Sequence, residues 1–141
     1  MPYGPFTLDD FLGAAPLPGA IVGVGIDVSF VERVARAAQG KGFVRQVFSP
    51  AEAQAWAGDP MDAPSLARAF SLKEAFFKAL GTGQRLDMLF HEIQMPPFAP
   101  EGSLDLTGRT LQVAQALGVR GIQASSSLSG GMAVGWVLLT G

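Results

Sequence analysis

Glu74 and Lys78 stand four residues apart in Ser71-Leu72-Lys73-Glu74-Ala75-Phe76-Phe77-Lys78-Ala79-Leu80, a segment that otherwise reads as apolar helix. On a wheel of about 100° per residue, Leu66, Phe70, Leu72, Phe76, Phe77 and Leu80 fill one broad arc. Glu74 and Lys78 lie on another side, with Ser71 beside them. Such a pair is either a surface ion pair worth a few tenths of a kcal/mol, or a carboxylate and an ammonium aimed at a substrate. Lys73 falls inside the apolar arc, where a lysine must snorkel to water or find an anion.

A second carboxylate, Asp27, follows the β-branched run Ala20 to Ile26 and directly precedes a helical pattern. The end of a buried strand is a rigid place from which to aim a catalytic or metal-binding acid. A helix-capping aspartate is the alternative. Gly23 and Gly25 flank this strand, but no third glycine follows at dinucleotide-loop spacing, so a Rossmann reading is weak.

The elements that must position these groups follow from pattern and punctuation. Residues 1–19 are broken by Pro2, Gly4, Pro5, Gly13, Pro16, Pro18 and Gly19 and form an irregular N-terminal arm, with at most a helical turn near Leu8 to Leu12. Residues 20–141 form one domain. Ala20 to Ile26 is a buried strand. Ser29 is placed to cap a helix running to about Ala38, ended by Gly40 and Gly42. Phe43 to Phe48 is a further helical turn. Ser49-Pro50-Ala51-Glu52 has the form of a capping box opening a helix to about Trp56. After a loop over Gly58 to Pro64, the long helix runs to Leu80. Phe90 to Met95 and Ser103 to Leu106 are candidate strands. Thr107 is placed to cap a helix over Gly108 to Leu117, with Gly118 just past its end. Val119 to Ser126 and Met132 to Leu139 are the last strands, turned at Gly130-Gly131. The order argues for an α+β domain in which an antiparallel sheet packs against a long helix.

Composition narrows the function. Apolar residues make up 48% of the chain and charged ones 16%, which suits a compact domain that buries further surface in an oligomer. The net charge of −2 implies no general nucleic-acid affinity. With no cysteine, disulfides, thiolate zinc sites and cysteine nucleophiles are excluded. No secretory leader or transmembrane-length run is present, so a cytoplasmic protein that binds no membrane is expected. A local basic strip, Arg33, Arg36, Lys41 and Arg45 against Glu32 alone, suits an acidic partner or a solvated helix face.

Several segments in order carry a family resemblance. Gly23-Val24-Gly25-Ile26-Asp27-Val28 with Val31-Glu32-Arg33-Val34, Val47-Phe48-Ser49-Pro50-Ala51-Glu52, Phe70-Ser71-Leu72-Lys73-Glu74-Ala75 through Gly81-Thr82-Gly83, Phe90-His91-Glu92-Ile93, and Ser125-Ser126-Ser127 with Ala133-Val134 together resemble the motifs of holo-acyl-carrier-protein synthases, the small 4′-phosphopantetheinyl transferases. The resemblance covers roughly residues 20 to 139.

It implies that the phosphopantetheine arm of coenzyme A is transferred to a serine of an apo acyl carrier protein, releasing adenosine 3′,5′-bisphosphate. It makes Asp27 and Glu74 the ligands of Mg²⁺, an ion that takes oxygen donors and keeps several waters. Glu74, directly or through a metal-bound water, also becomes the acceptor of the serine proton, and Lys78 the stabiliser of charge on the leaving phosphate. Lys73 is assigned to the same anion or to bracing Asp27. Gly81, Thr82, Gly83 and Ser127 are assigned to the nucleotide, and Arg33, Arg36, Lys41 and Arg45 to the acidic carrier. A homotrimer with sites at subunit boundaries, working in fatty acid biosynthesis, is also implied.

Two positions depart from the family pattern. The usual Arg-Phe pair is Ala69-Phe70 here, the arginine being Arg68, about 100° away on the helix. The usual Ser-x-Ser-His ends in Leu128. Both family side chains help bind coenzyme A, leaving Ser127, Ser129 or Arg68 to cover the contact. A relative that binds coenzyme A or carrier proteins without turnover is therefore the rival reading. An oligomeric interaction domain with an accidental motif match is disfavoured by five motifs in order.

Overall fold

Every second side chain from Val22 to Phe30 faces out, and Gly23, Gly25, Asp27 and Ser29 face in. That period of two continues past Ile26, and the strand β1 accordingly runs Ile21–Phe30. The computed structural model describes residues 19–84 and 87–141; the N-terminal arm read from the sequence, with its turn near Leu8 to Leu12, lies outside the described residues. Five helices follow in chain order: α1 (Val31–Ala37), α2 (Lys41–Val47), α3 (Pro50–Trp56), α4 (Ala63–Leu80) and, after the short strands β2 (Ile93–Gln94) and β3 (Asp105–Leu106), α5 (Gly108–Ala116). The chain ends in a hairpin of β4 (Gly121–Ser129) and β5 (Met132–Thr140). Gly130 and Gly131 turn it with φ of 55° and 76°, the positive values that a two-residue hairpin turn of this hand requires.

The main sheet has the order β1-β5-β4, all antiparallel, with Asp27 opposite Gly135 and Ser126 opposite Gly135 on the far side. Helix α4 lies across the inner face. Its contact with β1 is too close for ordinary side chains. A Cβ at Gly25 would stand 2.0 Å from the Ala75 carbonyl oxygen, and one at Gly23 would stand 1.8 Å from that of Ala79. One at Gly135 would stand 2.9 Å from the Leu72 nitrogen. The facing residues Ser71, Ala75 and Ala79 recur every four positions and form a single stripe of small side chains. The two strand glycines flagged against a dinucleotide loop thus serve backbone approach. Ser71 closes the stripe by sharing its one hydroxyl proton between the carbonyls of Ala67 and Ala133, at 3.0 and 3.2 Å.

Several expectations change. Ser29 is no helix cap: it lies inside β1, because β5 offers ladder partners as far as Met132 opposite Phe30. Phe90 to Met95 is mostly not a strand. Phe90–Glu92 is a single 3₁₀ turn, and only Ile93–Gln94 pair with β3, which is itself shorter than Ser103 to Leu106. The reason is Glu92, which turns inward to cap α5. Its carboxylate accepts from the Arg109 amide at 2.9 Å and from the Thr110 amide and hydroxyl at 3.2 and 2.7 Å. Thr107 holds the cap position without a side-chain cap bond. Burial pushes the Glu92 carboxyl up, but the Thr110 hydroxyl and the Leu89, Arg109 and Thr110 amides outweigh it and hold it below the usual range. The capping box at Ser49 forms as expected, with Glu52 N at 3.2 Å from Ser49 Oγ. Among the described residues, no buried side-chain polar atom lacks a partner, and no helix is long and apolar enough to cross a membrane.

The seam yields a test. Gly25→Ala places a methyl group inside the Ala75 carbonyl, so either α4 lifts or β1 shifts. We expect a loss of about 3 kcal/mol or more in urea unfolding, the upper end of overpacking costs. A change under about 0.5 kcal/mol would show that the helix is not seated on the glycines.

Candidate active site

Because Ala75 and Ala79 face β1, the neighbouring positions Glu74 and Lys78 emerge at the edge of the seam, beside Asp27. Lys78 Nζ donates to Asp27 Oδ1 at 2.7 Å and to the Ile26 carbonyl at 3.2 Å. Asp27 Oδ2 accepts from Ser29 Oγ at 3.1 Å. The Asp27 side chain is 15% exposed and that of Lys78 53%. Asp27, Ser29, Phe30, Arg33, Phe70, Glu74 and Lys78 line one cleft of about 360 Å³. A second cleft shares Glu74 and Phe70 and is walled by Phe43, Val47, Leu89 and Phe90, with Arg45 and His91 also lining it.

The charges are coupled. Burial pushes the Glu74 carboxyl up, the Asp27 charge pushes it further, and Lys78 opposes both without cancelling them. The hydrogen bond to Asp27 raises the Lys78 ammonium, which stays charged. Two carboxylates from separate elements therefore face one space, and Glu74 ionises reluctantly, first because it is buried and then because Asp27 is near. A divalent cation relieves that repulsion, and two hard oxygen donors suit Mg²⁺. Among the described residues no third His, Asp or Glu joins them, so water and phosphate oxygens would have to complete such a site.

Lys73 is a correction. It reaches neither Asp27 nor the cleft. Its Nζ is buried and donates to Glu52 Oε1 at 2.6 Å, the Val47 carbonyl at 2.8 Å and the Phe90 carbonyl at 3.1 Å. All three protons are spent, and the Phe48 ring lies 5.5 Å away. Burial lowers the Lys73 ammonium against the pull of Glu52. The arc that contains Lys73 points into the core, and the anion it meets is the capping-box glutamate, whose buried end the sequence left unassigned. Removing one member of such a pair costs about 3–5 kcal/mol.

The other assigned residues divide. Gly81 takes the left-handed turn after α4 at φ 76°, and its N–H is used on the Lys78 carbonyl at 3.0 Å. Thr82 Oγ1 donates to the Gly83 carbonyl at 2.8 Å. Arg33 stacks over Phe30 at 5.2 Å on the wall of the Asp27 cleft. Arg36 pairs with Glu32 at 2.9 Å in full exposure, and Lys41 and Arg45 are exposed on α2. Ser127 lies opposite Val134 on the outer face of the sheet, so one chain does not bring it to Asp27. Arg68 donates from Nε to Ser126 Oγ at 2.9 Å and lines a cavity of about 830 Å³ with Ser65, Met95, Pro96, Ser125 and Trp136. Leu128 lies opposite Ala133. The sequence reading missed Ser29 as the partner of Asp27. The signal was present in the continued alternation Val28-Ser29-Phe30.

The raised Glu74 carboxyl gives a pH test. Its proton is held more tightly in the folded chain than in the unfolded one. Its stabilising contribution is therefore full below the unfolded value near 4.5 and is lost as pH rises through the folded value. Without added metal, Glu74→Gln should raise Tm by a few degrees at about pH 8. The gain should vanish in acid. A lower Tm at every pH would contradict this electrostatic account.

A model of the 4′-phosphopantetheinyl transferase superfamily matches residues 23–121, a span that holds Asp27, Glu74 and Lys78. The holo-[acyl-carrier-protein] synthase of Maridesulfovibrio salexigens is 35% identical over 111 residues, covering 74% of this chain and 86% of the relative. The crystal structure of holo-[acyl-carrier-protein] synthase from Neisseria meningitidis superposes with a TM-score of 0.73 at 25% identity, over 86% of this chain and all of that one. The ACPS–CoA complex of Chronobacterium ammoniagenes gives 0.66 at 27% identity, over 86% of this chain and 97% of that one. A match over most of the chain, carrying the cleft residues with it, shows that the chain belongs to the 4′-phosphopantetheinyl transferase superfamily, alongside the holo-[acyl-carrier-protein] synthases.

Proposed function

We propose that this chain transfers the 4′-phosphopantetheine arm of coenzyme A to a serine hydroxyl of an apo acyl carrier protein. Adenosine 3′,5′-bisphosphate leaves, and Asp27 and Glu74 hold the Mg²⁺ the reaction uses. The observation that carries this reading is the convergence of Asp27, Glu74 and Lys78 in one cleft of a chain of this family. Held by Asp27 and Glu74, the ion would supply charge neutralisation and alignment of the reacting phosphates.

The protein groups have separate tasks. Glu74, which lines the cleft beside Asp27, accepts the serine proton, directly or through a metal-bound water. Lys78 is half in solvent and charged, and it stabilises the negative charge that builds on the departing phosphate. Arg33 and Arg45 each line a cleft that contains Glu74 and are placed to meet an acidic carrier as its serine enters. Arg36 and Lys41 extend that basic strip outward. Arg68 gives the larger cavity a guanidinium for a nucleotide phosphate, which compensates for Leu128. The intact acid–base–metal set favours turnover over a binding-only relative.

The working unit is a homotrimer, and the support is an uncovered sheet face. Val24 is 64% exposed, Ile26 62%, Val28 50% and Phe30 48%, with Trp136 beside them across the ladder to β5. A patch of this kind marks an interaction surface. Covering it with neighbouring subunits also brings Ser127 toward a nucleotide held on another chain. We place the reaction in the cytoplasm, at the entry to fatty acid biosynthesis, with residues 20–141 as the transferase domain.

Mass spectrometry of an apo-carrier incubated with coenzyme A, Mg²⁺ and the protein should show a gain of one phosphopantetheine arm. Asp27→Ala and Glu74→Ala should each slow that gain by about 10²-fold or more while the circular dichroism spectrum is kept. Near-normal magnesium-dependent rates in both would sink the assignment. Sedimentation should report three chains for the wild type. Ile26→Asp should reduce this to one and lose transfer, whereas a fully active wild-type monomer would refute the trimer.

A further inference from the structure

The Asp27 carboxylate is held at both oxygens, by donors that differ in kind. Lys78, at 2.7 Å from Oδ1, comes from another element and is half in solvent. In the reaction above its ammonium is needed on the phosphates. Ser29, at 3.1 Å from Oδ2, lies two residues along the same strand on the same face and is only 7% exposed. Its position is set by the β1–β5 ladder, where Asp27 and Ser29 face Gly135 and Ala133. A serine hydroxyl carries one proton, and here that proton goes to Asp27. A carboxylate with no such donor turns about its last torsion in a broad well.

We infer that Ser29 is a positioning residue for this reaction. Its hydroxyl fixes the plane of the Asp27 carboxylate toward the divalent cation and keeps it there when Lys78 leaves Asp27 for the phosphates. The inference rests on Asp27 and Glu74 as magnesium ligands, and it adds the donor that orients the first of them. Hydrogen bonds behind a metal ligand of this kind are worth about 10-fold or more in metal affinity. Ser29 itself touches neither metal nor substrate in this role.

The test compares Ser29→Ala, Ser29→Thr and Ser29→Val. Thr and Val have the same shape, and only Thr keeps the hydroxyl, so any packing loss is common to both. Magnesium chloride is titrated calorimetrically into each full-length protein saturated with coenzyme A, whose phosphates complete the site, and transfer is measured against magnesium concentration. Ala and Val should weaken magnesium binding about 10-fold and raise the magnesium needed for half-maximal transfer equally. The kcat at saturating magnesium should stay within about 2-fold of wild type, and Thr should restore wild-type affinity. Equal affinities for Thr and Val, or an unchanged one for Ala, would overturn the role of Ser29 while leaving the metal site standing. A wild-type protein that binds no magnesium would overturn both.

Discussion

The site exists because α4 touches the backbone of β1. Gly23, Gly25 and Gly135 give up side chains, and Ser71, Ala75 and Ala79 present small ones, so helix and sheet meet at a distance that any larger residue would prevent. Glycine within a strand lowers stability. Here it sets how far Lys78 must reach to Asp27, which is 2.7 Å from nitrogen to oxygen. A helix seated at the usual distance on a layer of valines would carry Glu74 and Lys78 away from the strand. The carboxylates would then be two separate surface acids.

The same helix shows how burial assigns opposite fates to two similar residues. Lys73 and Lys78 are five positions apart, which puts them about 140° apart on the helix wheel. Lys73 is turned into the core, where three acceptors consume its protons and the Glu52 carboxylate neutralises it. It joins the ends of α2 and α3 and the turn at Phe90 to α4. Lys78 is turned to the edge, half in solvent, where it pairs with Asp27 and feels the charge of Glu74. A fully satisfied buried ammonium can do no further chemistry, whereas an exposed one exchanges partners as substrate arrives. Glu52 and Glu92 repeat the pattern among the acids. Each serves a helix N-terminus, which leaves Glu74 to face the cleft.

The sheet divides the labour between its faces. The inner face carries Asp27 and Ser29 beside α4. The outer face carries the exposed apolar row of β1 with Trp136, and Ser127 on β4. A period of two makes this division automatic, since adjacent residues of one strand cannot share a face. A site assembled from both faces needs more than one chain.

Much of this was legible in the residues. The order of elements, the capping box at Ser49, the hairpin at Gly130-Gly131 and the long helix to Leu80 depend on local pattern and spacing, and local pattern is what a sequence encodes directly. The candidate trio Asp27, Glu74 and Lys78 came from the family resemblance of the motifs, because spacing alone reads equally as a surface ion pair and a helix cap. The limits of β1, the role of Ser29, the fate of Lys73 and the use of Glu92 were not legible. Each depends on a partner distant along the chain: Met132 opposite Phe30, Glu52 against Lys73, Thr110 against Glu92. Whether a serine caps a helix or a strand continues is decided by what stands across the ladder. The sequence alone determined which groups are able to do chemistry here. Tertiary structure decided which of them remain free to do it, because burial and satisfaction of hydrogen bonds are properties of the assembled neighbourhood.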